Sequence, residues 1–125
     1  GLASAFVDLQ FGRHHLVPQE VVPSEALGLF ADRSTGSNDG MLRRVGGCAQ
    51  LDSNGVGADG QWVRVATIVA LAVTSGQTQI GVGPSDALYG FSRVGMFGNL
   101  ASTTIDFNGL PLDIYKKNRR TGDGR

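Results

Sequence analysis

Two adjacent histidines are the residues of this chain best suited to chemistry. His14 and His15 stand in the phrase Gly-Arg-His-His-Leu-Val-Pro-Gln-Glu. Imidazole binds metal ions and exchanges a proton near neutral pH. Neighbouring side chains of a β-strand point to opposite faces, however, so the two rings cannot readily ligate one metal together. The pattern favours one packed and one exposed histidine, either of which could form a pH-sensitive contact.

The same short phrase resembles the opening His-His phrase of one group of bacterial toxin nucleases of the His-Asn-His type. The resemblance implies a ββα-metal module in which the histidine pair begins the metal site. Such modules take further ligands from a following helix. This chain has only two histidines, and no convincing amphipathic helix follows them. A metal-dependent nuclease using His14 and His15 is therefore the second alternative for the function, and we predict no metal or other cofactor.

A second polar segment, Asp52–Gly60, has part of the pattern of a calcium-binding loop. Its first, third and sixth positions match, but Val56 and Val63 stand where such a loop needs oxygen ligands. A glycine-rich turn explains the segment better. Together with Asp32–Gly40, it forms the loop surface of our first alternative, a protein- or carbohydrate-binding β module.

Other catalytic patterns are missing from the sequence. No glycine-rich phosphate loop, no Gly-Lys-Ser/Thr sequence and no nucleophile elbow occurs in the chain. No carboxylates are placed together by the sequence alone. We therefore predict no catalytic residue and a protein that is not an enzyme.

The charge of the chain is unevenly distributed although its formal net charge is +0. Residues 1–115 contain ten acidic residues and six arginines, a charge of −4, whereas residues 116–125 contain five basic residues and one acidic residue, a charge of +4. Such a tail can contact nucleic acid or the acidic body of a neighbouring subunit. The residues expected to make this contact are Lys116, Lys117, Arg119, Arg120 and Arg125.

The composition fits an all-β domain. The chain has 125 residues, of which 41% are apolar and 19 are glycine, and short apolar runs alternate with polar turns. The longest apolar run, Val65–Val73, is far shorter than the ~20 residues that span a bilayer, so we expect no membrane partner. The single cysteine, Cys48, excludes an internal disulfide and fits a reducing compartment.

The segment Gln61–Gly83 predicts a central β-hairpin with Ser75-Gly76 as its turn. Val73 would then lie opposite Thr78, Leu71 opposite Ile80 and Val69 opposite Val82. The first strand has one face of large residues and one of small residues, which is typical of a buried strand with a close neighbour on its small face. That neighbour could be another subunit. The expected subunit contacts are Ala66, Ala70 and Ala72 on this small face, and Arg43 and Arg44 on another strand.

Other segments complete the expected sheets. Strands are predicted over Ala3–Phe11, His14–Val22, Met41–Leu51 and Phe91–Phe97, a short helix or loop over Ser24–Phe30, and a second hairpin around Asn108-Gly109. Pro18 indicates an edge strand or an extended arm, and Pro111 places the second hairpin at a sheet edge. Gly46-Gly47 indicates a bulge or a close backbone approach.

We therefore expect a small antiparallel β-sandwich or barrel of six to eight strands with little helix. Residues 1–115 form this single domain and residues 116–125 a basic tail. The function that we expect is structural: a small virion component of a phage (capsid, decoration or tail-associated protein) that self-associates through β-surfaces and terminal arms. Its partners would be copies of itself, other structural subunits or nucleic acid, in the virion or the host cytoplasm.

Overall fold

The structure is a computed structural model that describes residues 1–31, 39–50, 55–57, 60, 62–86, 90–94 and 105–115. Seven strands and one short 3-10 helix, η1, lie in these residues. In chain order they are β1 (Leu2–Phe11), β2 (Leu16–Pro23), η1 (Glu25–Leu27), β3 (Met41–Cys48), β4 (Ala66–Ala72), β5 (Gly76–Pro84), β6 (Phe91–Arg93) and β7 (Leu110–Ile114). The prediction of a small all-β fold with little helix is confirmed.

Two antiparallel sheets share one apolar core. A five-stranded sheet has the order β3-β1-β5-β7, with β6 also paired to β1, and a two-stranded sheet consists of β2 and β4. The larger buried cluster draws side chains from both sheets. Its buried members are Leu9 and Phe11 of β1, Leu16 and Val21 of β2, and Leu42 and Val45 of β3.

β1 is the central strand of the larger sheet because both of its edges are paired. β3 lies along one edge, while β5 and β6 share the other. Leu9 and Phe11 alternate with the polar Asp8 and Gln10, which is the period of a strand that buries one face. The strand predicted over Ala3–Phe11 is thus confirmed.

Gly46 and Gly47 let three backbone segments approach closely. Gly46 lies opposite Phe6 and Gly47 opposite Ala5 in the β1–β3 pair. A Cβ atom on Gly46 would collide with the carbonyl oxygen of Ala5, and one on Gly47 with the carbonyl oxygen of Leu27 in η1. The close approach predicted for this pair of glycines is confirmed.

The predicted hairpin between β4 and β5 is wrong. β4 pairs with β2, whereas β5 pairs with β1 on one edge and with β7 on the other. Since both edges of β5 are occupied, no edge is left for β4, and the expected pairs of Val69, Leu71 and Val73 with β5 do not form. Residues 73–75 instead lead from one sheet to the other. Gly76 does take a positive φ, 132°.

The expectation that β4 is buried on both faces is also wrong. Its large residues Val69 and Leu71 are 47% and 55% exposed, and only the small-face residues Ala66 and Ile68 pack against the core. The physical reason is the number of layers. Within the described residues, the two-stranded sheet has the larger sheet on its inner side and no layer on its outer side.

The other local predictions have mixed outcomes. β7 is the edge strand that Pro111 indicated, but it pairs with β5, and residues 105–109 form no strand, so the Asn108-Gly109 hairpin is wrong. The predicted short helix is the single turn η1, without a side-chain cap from Ser24. β2 is an edge strand with a bulge between Pro18 and Glu20, because Gln19 is an extra residue there.

Candidate functional site

An exposed apolar surface covers the outer side of the two-stranded sheet. Five side chains there, between 38% and 55% exposed, are Val17, Val22, Val69, Leu71 and Val73. Val17 lies directly opposite Leu71, so these two groups are neighbours across the strands, while the charged Glu20 lies opposite Val69. Contiguous exposed apolar side chains mark interaction sites on protein surfaces. We call these five residues the outer face.

The second edge of β4 is open. β2 occupies one edge, and no strand in the described part of the chain pairs with the other. Just beyond β4, the N–H of Val73 donates to the carbonyl oxygen of His15 at 2.7 Å, which places the backbone groups of Val73 on the β2 side. Because these groups alternate along a strand, those of Ile68 and Ala70 point to the open edge. We call this edge the free edge of β4.

The free edge of β4 lacks the features that protect other sheet edges of this protein. Natural edge strands avoid further pairing through prolines, charged side chains and bulges. β2 has Pro18, Pro23 and a bulge, and β7 has Pro111 and Asp113. β4, with the sequence Ala-Thr-Ile-Val-Ala-Leu-Ala, has no proline, no charge and no bulge of its own. Its backbone is therefore available to another strand.

The histidine pair stabilises the connection between the sheets. His14 is exposed and His15 is half-buried, but both lie in the turn before β2, which begins at Leu16 and not at His14 as predicted. The hydroxyl of Thr74 donates to the carbonyl oxygen of His14 at 2.5 Å, and its Oγ1 lies 3.1 Å from Nδ1 of His15. A Cβ atom on Gly76 would lie 3.0 Å from Cε1 of His15, so glycine leaves room for the ring. The pair thus has a structural explanation at the start of β2.

No metal site accompanies these histidines in the described residues, where no group of three or more His, Cys, Asp or Glu side chains could hold an ion. The use of His14 and His15 by a nuclease stays a prediction. The segments Asp32–Gly40 and Asp52–Gly60, which carry the binding-module alternative, lie mostly outside the described residues. The binding-module alternative therefore stays a prediction.

Arg43 and Arg44 both lie at the surface in ion pairs. Two residues of β3 oppose the single Asp8 of β1, and Arg44 takes a left-handed φ of 57° at this bulge. Its N–H donates to Asp8 Oδ1 at 3.0 Å, and its Nε to Asp86 Oδ1 at 2.9 Å. Arg43 pairs with Asp39 at 2.6 Å. Both arginines are therefore engaged within the chain, and a role in subunit contact stays a prediction.

These ion pairs shift the pKa values of their exposed members. The hydrogen bond and charge of Asp39 raise the pKa of Arg43. The hydrogen bond and charge of Arg44 lower the pKa of Asp86 below its ordinary value of 3.8. The lowered pKa means that this ion pair contributes to stability above pH 3.8 and is lost as the pH falls through the lowered value. The ion pairs are thus intact at neutral pH.

The predicted subunit contacts on β4 differ in exposure. Ala66 is half-buried against the core, whereas Ala70 and Ala72 are exposed along the free edge. Their part in a contact stays a prediction. The basic residues Lys116, Lys117, Arg119, Arg120 and Arg125 lie outside the described residues.

An open groove of about 600 Å³ runs beside the paired strands β5 and β7. Its described lining has four polar and two apolar residues: Gln77, Thr78, Gln79, Pro111, Leu112 and Asp113. None of these residues is a histidine, a cysteine or an arginine, and the single acid is Asp113.

The fold and the exposed surface define a small all-β protein of two antiparallel sheets in which, within the described residues, β4 has an unpaired edge without proline, charge or bulge. No protein-family model matches the chain, and no curated protein or solved structure matches it either. Over the described ranges, none of the elements is a helix with the length and apolarity to cross a membrane. The outer face and the free edge of β4 are therefore the features of the described residues that bear on function.

Sequence reasoning missed both features for one reason. It assigned Val69 and Leu71 to the interior, because an uncharged β-branched run is typical of a buried strand. The same run is what an open edge needs for pairing with another chain. The signal was thus present in Ala66–Ala72, but the sequence did not separate the two explanations.

Proposed function

We propose that this chain is a structural protein that self-associates through the two-stranded sheet. The single observation that carries the proposal is the outer face, five apolar side chains on one side of a sheet with an unprotected edge. Leaving these side chains in water costs free energy that association recovers, at about 25 cal/mol per Å² of apolar area buried. The two-stranded sheet is therefore the surface through which copies of the chain assemble in this proposal.

The setting that we propose is a virion, with the chain as a small capsid, decoration or tail-associated component. A shell needs many copies of a compact domain that meet through repeated surfaces. A glycine-rich β-domain with a self-complementary sheet surface suits that task. The charge of +4 on residues 116–125 against −4 on residues 1–115 adds a second attraction between copies, or an attraction to packaged nucleic acid.

The proposal predicts that Leu71→Asp weakens self-association. Leu71 is 55% exposed at the centre of the outer face, so the substitution places a charge where apolar contact is needed without emptying the core. We expect the dissociation constant to rise at least about tenfold, which corresponds to about 1.4 kcal/mol. Sedimentation velocity over a range of protein concentrations measures the change.

Leu110→Asp is the matched control, because Leu110 is 52% exposed but lies on β7 of the other sheet. This variant should associate as the wild type does. A wild-type chain that stays monomeric at the highest concentration reached would contradict the proposed function. Equal weakening of self-association by both variants would mean that the outer face is not the contact surface.

A further inference from the structure

We propose that β4 pairs antiparallel with β4 of a second copy across a two-fold axis at Val69. The two-stranded sheets of both copies would then form one four-stranded sheet in the order β2-β4-β4-β2. This inference rests on the proposed self-association and deepens it, because it names the strand, the register and the symmetry of the contact.

The backbone of β4 permits this pairing. A symmetric antiparallel contact needs the same outward-pointing groups in both copies, and the N–H and C=O of Ile68 and Ala70 point to the free edge. With Val69 on the axis, Ile68 of one copy lies opposite Ala70 of the second copy, and Ala66 opposite Ala72. The backbone N–H and C=O groups of all four residues point to the free edge, so the residues form hydrogen-bonded pairs. If every group pairs, about eight new hydrogen bonds form.

The side chains of β4 fit the same register. Val69 lies opposite Val69 of the second copy, and Thr67 lies opposite Leu71. These are non-hydrogen-bonded positions, where Cα atoms approach to about 4.5 Å and side chains contact most closely. The two outer faces therefore join side by side into one apolar surface, in which the pairing itself buries only the side chains that touch across the two β4 strands. On the inner side, Ile68 meets the small Ala70, which avoids a clash of two large groups.

A second copy is the occupant that this strand fits best. A two-fold axis at Val69 places β4 against β4, and because the strand has no charged residue, no like charges meet in this contact. The other strand of the sheet, β2, has Pro18 opposite Ala70 and Glu20 opposite Val69, and so cannot offer such an edge. Pairing through β4 gives a closed dimer, and other surfaces remain for larger assembly.

The contact is small for a stable dimer. The seven residues of β4 extend about 24 Å at 3.4 Å per residue. One strand edge of this length buries less than the ~800 Å² per partner of a standard interface. We therefore expect a weak contact with a dissociation constant on the order of micromolar. Weak contacts of this kind hold firmly when a lattice repeats them.

Disulfide trapping tests the register. In a Cys48→Ala background, Val69→Cys places two thiols on the axis at a Cα separation within the range of a disulfide. In a glutathione redox buffer we expect most of this variant to become a covalent dimer at concentrations where the wild type associates. Val22→Cys is also on the outer face, but on β2. It should stay mostly reduced, because β4 separates it from the two-fold axis.

Ala70→Pro tests the backbone contact separately. Proline removes the outward N–H of this position and leaves the hydrogen bonds to β2 intact, and β2 itself has Pro18 directly opposite. We expect a dissociation constant raised at least about tenfold. Ala70→Ser, which keeps the N–H, should associate as the wild type does. Circular dichroism confirms that both variants are folded.

The outcomes separate this inference from the proposed function. Wild-type association, with a Val69→Cys dimer and a weakened Ala70→Pro, supports both. Wild-type association in which Val69→Cys forms no dimer overturns the β4 contact, while self-association itself stands. A wild type that never associates overturns both.

Discussion

Gly46→Ala is expected to lose about 3 kcal/mol or more of the free energy of unfolding. Gly46 has a φ of 142°, a conformation that residues with a Cβ rarely adopt. The new methyl group would collide with the carbonyl oxygen of Ala5 and would lie 3.0 Å from Cα of Phe6. Both neighbours are backbone atoms of the central strand β1, so they cannot move without disturbing the β1–β3 pairing.

Gly83→Ala provides the matched control. Gly83 also lies within a strand of the larger sheet, but a Cβ atom there would meet nothing within 4 Å. We expect its stability to be unchanged or slightly higher, because alanine restricts the unfolded chain. Urea unfolding followed by circular dichroism measures both variants. A Gly46→Ala variant as stable as Gly83→Ala would contradict the close approach of β1 and β3.

Leu27→Ala is expected to lose about 2–5 kcal/mol of the free energy of unfolding. Leu27 is 0% exposed and packs with Ala5 and Ala49 in the smaller buried cluster. Truncation would remove favourable burial and leave a cavity that small neighbours such as these alanines cannot fill. The turn η1 would lose its only buried side chain.

Leu110→Ala is the control for this substitution, because the same atoms are removed from a side chain that is 52% exposed. We expect a loss within about 0.5 kcal/mol, as for other surface substitutions. The same urea titration compares the two. Equal losses for both variants would mean that η1 is not attached to the sheet through Leu27.

These two substitutions act on the smaller buried cluster and on the β1–β3 pairing, away from β4. Ala5 links them, because its carbonyl oxygen is close to Gly46 and its side chain contacts Leu27. Any fraction of either variant that stays folded should therefore self-associate with the affinity of the wild type. Stability and assembly are thus separable in this protein.

The sequence predicted the elements of the fold better than their pairing. Alternation in Ala3–Phe11 identified β1, and Gly46-Gly47 identified the close approach, because both signals are local. The hairpin of Gln61–Gly83 was wrong because alternation tells which residues share a face and does not tell which strand lies beside them. Instead, β5 pairs with β1 on one edge and with β7 on the other, and both are distant in sequence. Such long-range choices depend on the whole chain.

Two of the contact residues that the sequence named lie at the candidate site. Of Ala66, Ala70 and Ala72, the last two lie exposed along the free edge of β4 and Ala66 is half-buried, and their part in a contact stays a prediction. The sequence did not predict the outer face, because Val69, Leu71 and Val73 have the same character in a core as at an interface. What distinguishes the two is the number of layers around the strand, a property of the assembled sheets.

Residue-resolved amide hydrogen exchange at several protein concentrations shows whether the free edge of β4 is the surface through which copies assemble. The N–H groups of Ile68 and Ala70 point to the free edge, while that of Val73 is bonded to His15. We predict that the Ile68 and Ala70 amides exchange rapidly in dilute solution and slow at least about tenfold as the chain associates, with Val73 changing little. If the chain assembles and amide exchange at Ile68 and Ala70 does not slow, the free edge of β4 is not the assembly surface.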